Sequence, residues 1–320
     1  EKENFTETLS KILLSRKFND EEIYSINNEL PLKNVFKNNV DFKKALDLLL
    51  YTIKNNEKIC ILGDYDVDGS VSTSLLVKFF TSINHPHFFY IPDRETDGYG
   101  PSINLFNKLI KKKPKLMIMV DCGSNSFDAI KYLNKNKIKS LIIDHHQISK
   151  PFPLADSIIN PKKDNGYIEY DYLCATSLTY FFLDLFIITI KKKISNISNL
   201  KLNIEDDLIY VLLATVCDVM PLRKLNRTIA INAIKKFKLV NNKVFKAIFG
   251  IFKKNNKITI DDLGFLIGPI LNSGGRLSKS NYATNLLSTN NDKEIFSLVS
   301  KLINLNEKRK IIESRILSEI

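Results

Sequence analysis

The sequence predicts an α/β fold: a parallel sheet with helices on both faces, followed by a helical part and a long C-terminal connector helix. Three observations carry this. Between residues 59 and 159, short apolar runs alternate with longer amphipathic ones, the rhythm of crossover units feeding a parallel sheet covered on both faces. After about residue 170 the texture becomes mostly helical. The chain closes on 292–320, a run without Gly or Pro whose Ile295, Leu298, Val299, Leu302, Leu305, Ile312 and Ile316 line one helical face.

In chain order, residues 41–54 place Phe42, Ala45, Leu46, Leu49, Leu50 and Ile53 at helical spacing, so a helix packs here onto a neighbour. Buried strands follow at 59–62, 88–91, 116–120, 141–143 and 157–159, and helices lie between them at 70–81, 102–112 and 125–135. The later helices are 175–190, 205–217 and 228–237. Residues 180–190 fall short of the ~20 apolar residues a membrane span needs and include Asp184, so this is a buried helix. Three units result: a helical extension at 1–40, a main domain at 41–290 and a connector at 291–320. Glu1 stands where a start Met is expected, and the final helix runs toward a further domain, as in a fragment.

A chain of 320 residues, 44% of them hydrophobic and 26% charged, builds a core without staples. Its four cysteines, Cys60, Cys122, Cys174 and Cys217, stand singly, which argues against a disulfide framework and a zinc finger and fits a reducing, cytoplasmic compartment. The formal charge of +12 would steer the chain toward a polyanion such as nucleic acid. Abundant Lys, Asn and Ile also fit the codon bias of an AT-rich genome, so charge alone leaves the partner open. Lys111 to Lys113 and Lys191 to Lys193 are the charge clusters, and no internal repeat is present.

The sharpest motif is GDYDVDG at 63–69, directly after the first strand. It holds Asp64, Asp66 and Asp68 within five residues, where ligands of open parallel sheets sit, and such carboxylates repel one another unless a cation or proton intervenes. A calcium loop would need Glu at the twelfth position, and Leu75 stands there. Alternatively, an Asp here only caps the next helix. Two more strands deliver ligand-type side chains to the same edge: 116–120 runs into Asp121, and 141–143 runs into Asp144, His145 and His146. Asp218 follows the apolar run 208–216. Six aspartates and two histidines suffice for two ions with one bridging carboxylate; mixed Asp and His donors suit Mn²⁺, with Mg²⁺ as the alternative. Metal-dependent phosphoester or phosphoanhydride hydrolysis is the reaction class.

Two segments read as phosphate handlers: Arg94 beside the glycine loop Gly98, Tyr99 and Gly100, and Asn272 with Arg276 beside Gly274 and Gly275. The first alone also reads as an ordinary turn and helix start, and the second alone is a weak signal.

Taken in order, GDYDVDG at 63–69, PDR and GYG within 92–100, DCG at 121–123, DHH at 144–146, DVMPL at 218–222 and NSGGRL at 272–277 resemble the DHH phosphoesterase superfamily, and within it the RecJ single-strand-specific exonucleases. Asp64, where many relatives carry His, favours that branch. The resemblance implies that Asp64, Asp66 and Asp68 divide between two Mn²⁺ or Mg²⁺ ions. Asp121 would bridge them, and His145 and Asp218 would complete one shell. It also implies that His146 stabilises the scissile phosphate, Asp144 orients a histidine, and Arg94 and Arg276 contact substrate phosphates, with Gly98, Tyr99, Gly100, Asn272 and Gly275 lining the substrate path. The implied activity is 5′ to 3′ release of 5′-mononucleotides from single-stranded DNA in repair and recombination, by a monomer with no membrane association. Helicases and single-strand-binding proteins are the implied partners. Short oligonucleotides, cyclic dinucleotides or pyrophosphate form a second substrate class, and an inactive nucleic-acid-binding relative a third reading. A glycine-containing stretch usual in the family is absent near Leu173 to Thr176, which leaves that helix start open, and nothing after Leu277 resembles the family's further substrate-binding domain.

Overall fold

The computed structural model describes residues 5–163, 167–194, 197, 200, 202–254 and 257–319. Two short helices, α1 (Glu7–Ser15) and α2 (Asp20–Asn27), precede α3 (Val40–Lys54). The α/β unit follows as β1 (Ile59–Leu62), α4 (Val67–Ser82), β2 (His87–Tyr90), α5 (Ile103–Leu109), β3 (Leu116–Val120), α6 (Phe127–Lys135), β4 (Lys139–Ile143) and β5 (Ser157–Ile159). The helical part comprises α7 (Ala175–Lys193), α8 (Leu208–Cys217), α9 (Lys224–Lys236), α10 (Lys243–Ile251), a π-helical turn (Asp262–Ile267), α11 (Gly268–Arg276), α12 (Asn281–Ser288) and α13 (Asp292–Glu319). Ile320, the last residue of the expected connector, lies outside the described residues, as do residues 1–4 of the expected extension.

All five strands are parallel, in the order β2-β1-β3-β4-β5. Successive side chains of a strand point to opposite faces, and here both faces are covered. Ile59, Ile61, Ile118, Val120, Leu141 and Ile143 enter one core with α3, α4 and α7, while Cys60, Leu62, Met117, Met119 and Ile142 enter a second with α5 and α6. This explains why the strands read as unbroken apolar runs. The strand order reverses between β1 and β3, so the crevice for a ligand opens there, at the strands' carboxyl ends.

The structure corrects several expected details. The helix after β1 begins at Val67 rather than at 70, because Asp66 caps it by accepting a hydrogen bond from Gly69 N at 2.9 Å. The expected helix at 102–112 is α5 followed by a 3₁₀ turn, Ile110–Lys112, with Lys113 left-handed at its end. NSGGR is no glycine loop: it is the last part of α11. Gly275 serves packing there, since a Cβ would stand 2.6 Å from the carbonyl oxygen of Tyr65. Among the described residues, no helix is long and apolar enough to cross a membrane. The extension packs onto α9, where Arg223 pairs with Glu22 at 3.1 Å and donates to the Arg16 carbonyl at 3.0 Å.

Candidate metal centre

Three strand ends and one helix end build the centre. From β1, Gly63 leads into Asp64, Asp66 and Asp68, and the loop is so tight that a Cβ on Gly69 would meet Asp64 N at 2.5 Å. From β3 the chain enters Asp121 with φ at +59°, a left-handed turn that Asp tolerates better than most residues. From β4 come Asp144, His145 and His146. The fourth contribution is Asp218, which ends α8; the next residue, Val219, is left-handed at φ +57° although its side chain is 86% exposed. A β-branched residue in that region is strained, and such strain is typical of sites that over-determine the backbone.

Ligand-type atoms converge in three overlapping groups: Asp64, Asp66 and Asp121; Asp121, His145 and His146; and Asp68, His145 and Asp218, each with its atoms within 4.8 Å of one another. His145 Nε2 lies 3.3 Å from Asp121 Oδ1, 3.5 Å from Asp218 Oδ2 and 3.7 Å from Asp68 Oδ2. Yet Asp121 Oδ1, Asp218 Oδ2 and both ring nitrogens of His145 are buried without a hydrogen-bond partner. Buried polar atoms are ordinarily paired, so three of these orphans, Asp121 Oδ1, Asp218 Oδ2 and His145 Nε2, gathered around one point mark a group that accepts cations. Oxygen donors with one imidazole fit a hard divalent ion.

Electrostatics agree. Burial first, and then Asp66 beside it, lifts the Asp64 carboxyl to about 7; burial together with Asp68 and Asp66 lifts Asp218 to about 7. Burial and Asp68 also raise Asp66, and Asp121 is held well above the ordinary carboxylate range by burial and by Asp68 and Asp66. Asp144 goes the other way: burial opposes its charge, but the hydrogen bond with His146 Nδ1 at 2.7 Å and another from Ser124 N at 3.0 Å hold it well below that range. That same bond raises His146, whereas burial lowers His145. With Asp144 ionised, His146 Nδ1 must be the donor, which leaves Nε2 on a side chain 46% exposed.

Asp68 is fixed by a helix. Its two oxygens accept from Ala175 N and Thr176 N, each at 2.8 Å, so the start of α7 that the missing glycines left open is closed by this carboxylate. Around the centre, the Arg94 guanidinium lies 5.2 Å over the Tyr65 ring, and Tyr99 meets Tyr65 edge-on at 6.4 Å. Gly98 and Gly100 flank Tyr99 with positive φ and open space around them. Asn272 and Arg276 line a cavity of about 220 Å³ with Arg309, and Asn272 Oδ1 is buried without a partner. The sequence reading missed Ser124, Asn160, Thr176 and Arg309. A single Asn, Ser or Thr after a strand or at a helix start carries no pattern, and Arg309 was hidden in the connector's charged face.

Fold and site together define a doubly wound α/β protein with an acidic, histidine-containing centre at the carboxyl edge of its sheet. Residues 58–214 match the DHH family, N-terminal domain, so this stretch of the chain carries a DHH domain. It is 30% identical over 279 residues to the single-stranded-DNA-specific exonuclease RecJ of Haemophilus influenzae, covering 85% of this chain and 48% of that protein. The RecJ of Bacillus subtilis is 28% identical over 282 residues, covering 87% of this chain and 34% of that protein. The chain thus spans about half the length, or less, of these curated relatives. Among solved structures, exonuclease RecJ bound to manganese superposes with a TM-score of 0.76 at 22% identity, over 92% of this chain and 70% of that one. RecJ from Thermus thermophilus in complex with Mn²⁺ gives 0.76 at 20% identity, over 96% and 43%. Both likenesses establish the fold.

Proposed function

We propose that the chain is the catalytic part of a two-metal phosphodiesterase, a 5′ to 3′ exonuclease that releases 5′-mononucleotides from single-stranded DNA during repair and recombination. The observation that carries this reading is the overlap of the three ligand groups, in which Asp121 and His145 are each shared by two. Asp64, Asp66 and Asp121 would hold one Mn²⁺ or Mg²⁺, and Asp68, His145 and Asp218 the other, with Asp121 between them. When bound, such a pair polarises the phosphoryl oxygens and supplies a nucleophile at neutral pH.

The chain's own residues do the rest. His146, its ring fixed by Asp144, offers Nε2 to the scissile phosphate and stabilises the charge that develops on it. Arg94 and Arg276 hold backbone phosphates, with the open backbone of Gly98 and Gly100 allowing close approach, Gly275 packing the Arg276 helix end against Tyr65, and Asn272 facing the same path. Tyr99, 61% exposed, gives a base a stacking surface, which requires that base to be unpaired and so favours single strands. The names of the relatives support DNA as the substrate, and the +12 charge agrees. Residues 41–290 would form the catalytic unit and 291–320 the connector to further substrate-binding structure. The setting would be cytoplasmic, with a monomer working beside helicases and single-strand-binding proteins.

End-labelled single-stranded DNA tests the reading. Release of 5′-mononucleotides from the 5′ end in Mn²⁺, absent in Asp121→Ala, supports it. Hydrolysis of dinucleotides, cyclic dinucleotides or pyrophosphate with DNA untouched would replace it with the small-substrate class.

A further inference from the structure

We infer that Asn160 is a positioning residue for the metal centre: its amide clasps the loop after β3 to the loop after β4, and so sets how far Asp121 stands from His145. This rests on the proposal that those residues hold metal. Asn160 immediately follows β5, the edge strand beyond β4, and its side chain is fully buried. Its Nδ2 donates to Ser124 Oγ at 2.8 Å and to the His146 carbonyl at 2.9 Å, while its Oδ1 accepts from Lys162 N at 2.9 Å. A carbonyl can only accept and a backbone N–H can only donate, so the amide has one possible orientation. Both Nδ2 hydrogens are used.

Ser124 extends the clasp, because its own N–H donates to Asp144 Oδ2 at 3.0 Å. Asn160, Ser124, Asp144 and His146 therefore form one closed set of hydrogen bonds around the two loops. Asn160 is anchored in turn by its backbone N–H, which donates to the buried hydroxyl of Tyr167 at 2.9 Å. Among the described residues, no carboxylate or imidazole from the β5 loop joins the ligand groups, so its contribution to the centre is this amide. Partners that orient ligand loops control metal affinity without touching the ion.

The test compares the chain with Asn160→Ala, Ser124→Ala and the double variant, titrating Mn²⁺ by calorimetry and following backbone amide exchange in EDTA. Asn160→Ala is expected to weaken Mn²⁺ about tenfold or more, and Ser124→Ala to weaken it less. Ser124→Ala should add nothing in the Asn160→Ala background, because the two act through one bond. Should Asn160→Ala fold poorly, Ser124→Ala alone carries the comparison, since it deletes a single hydroxyl and leaves the Asp144 contact. Mn²⁺ affinities equal to the parent in both single variants would overturn the inference. Exchange needs no metal: in Asn160→Ala the amides of 121–126 and 144–147 should open faster while those of α7 do not. If the parent itself binds no Mn²⁺, the metal-centre proposal fails and exchange alone decides the clasp, unchanged protection of the two loops being the contrary result.

Discussion

His145 Nε2 stands 3.3 Å from Asp121 Oδ1, and neither atom makes a hydrogen bond. Two buried groups placed this close with nothing between them store unfavourable energy in the metal-free chain, and Asp121 carries most of it, being buried beside Asp66 and Asp68. Replacing Asp121 with Asn should therefore raise the melting temperature in EDTA, by about 1.5 °C for each 1 kcal/mol relieved. The same change should abolish stabilisation by Mn²⁺. Parallel thermal melts with and without Mn²⁺ measure both, and a variant that melts lower than the parent in EDTA would contradict the assignment of strain to Asp121.

Asp64 and Asp218 extend the point to pH. Their folded-state carboxyls are raised to about 7, above the ~4 of an unfolded chain. Groups raised in this way contribute stability that is fully present below the unfolded value and is lost as pH rises through about 7. Metal-free chain should thus melt lower at pH 8 than at pH 5.5. Mn²⁺ binds the deprotonated groups, so binding should release about one to two protons near pH 6.5 and tighten as pH rises. Calorimetry in two buffers of different ionisation enthalpy counts those protons; a count of zero would refute the raised carboxyls.

His146→Ala should lower kcat about a hundredfold while leaving Mn²⁺ affinity within a few fold, because His146, though grouped with Asp121 and His145, has its Nδ1 committed to Asp144 and lies outside the two groups proposed to hold the ions. Asp144→Asn should follow in the same direction, since its hydrogen bond fixes the His146 ring. Separate measurement of kcat and of metal affinity distinguishes this from loss of the centre itself.

Arg94→Ala and Arg276→Ala should each weaken single-stranded DNA binding and reduce the slope of log affinity against log salt by about 0.7, one phosphate contact apiece. Arg276 begins from a weak contact, its guanidinium 4.0 Å from Glu313, so little is lost in freeing it for DNA. An unchanged salt slope for either variant removes that arginine from the substrate path.

Val219→Gly should stabilise the chain by about 1 kcal/mol, because glycine adopts φ of +57° without a Cβ penalty and the lost side chain is almost wholly in water. Chemical denaturation reads this directly, through a shifted midpoint at constant slope.

The parallel strands were legible because burial on both faces leaves a run such as Leu116–Val120 without a single polar residue. The ligand candidates were legible for a related reason: carboxylates and histidines placed straight after such runs must sit at the sheet's carboxyl edge. Legibility failed where side chains act through packing or through backbone. Gly274 and Gly275 look like a phosphate loop in sequence, and only the closeness of Tyr65 and Lys279 shows them holding a helix end against its neighbours. Asn160 and Thr176 act by hydrogen bonds to residues many positions away, such as Asn160 to Ser124 and Thr176 to Asp68, and spacing carries no record of such pairs. The short helices α10 and α12 give too few turns for a period to stand out.

The central claim is a pair of metal ions held in common by Asp121. Electron paramagnetic resonance of the chain titrated with Mn²⁺ tests it most directly. The expected result is two equivalents bound with the spectrum of an exchange-coupled pair, and no coupled signal in Asp121→Ala. A parent chain that binds a single, uncoupled ion, or a coupled pair that survives Asp121→Ala, would contradict it.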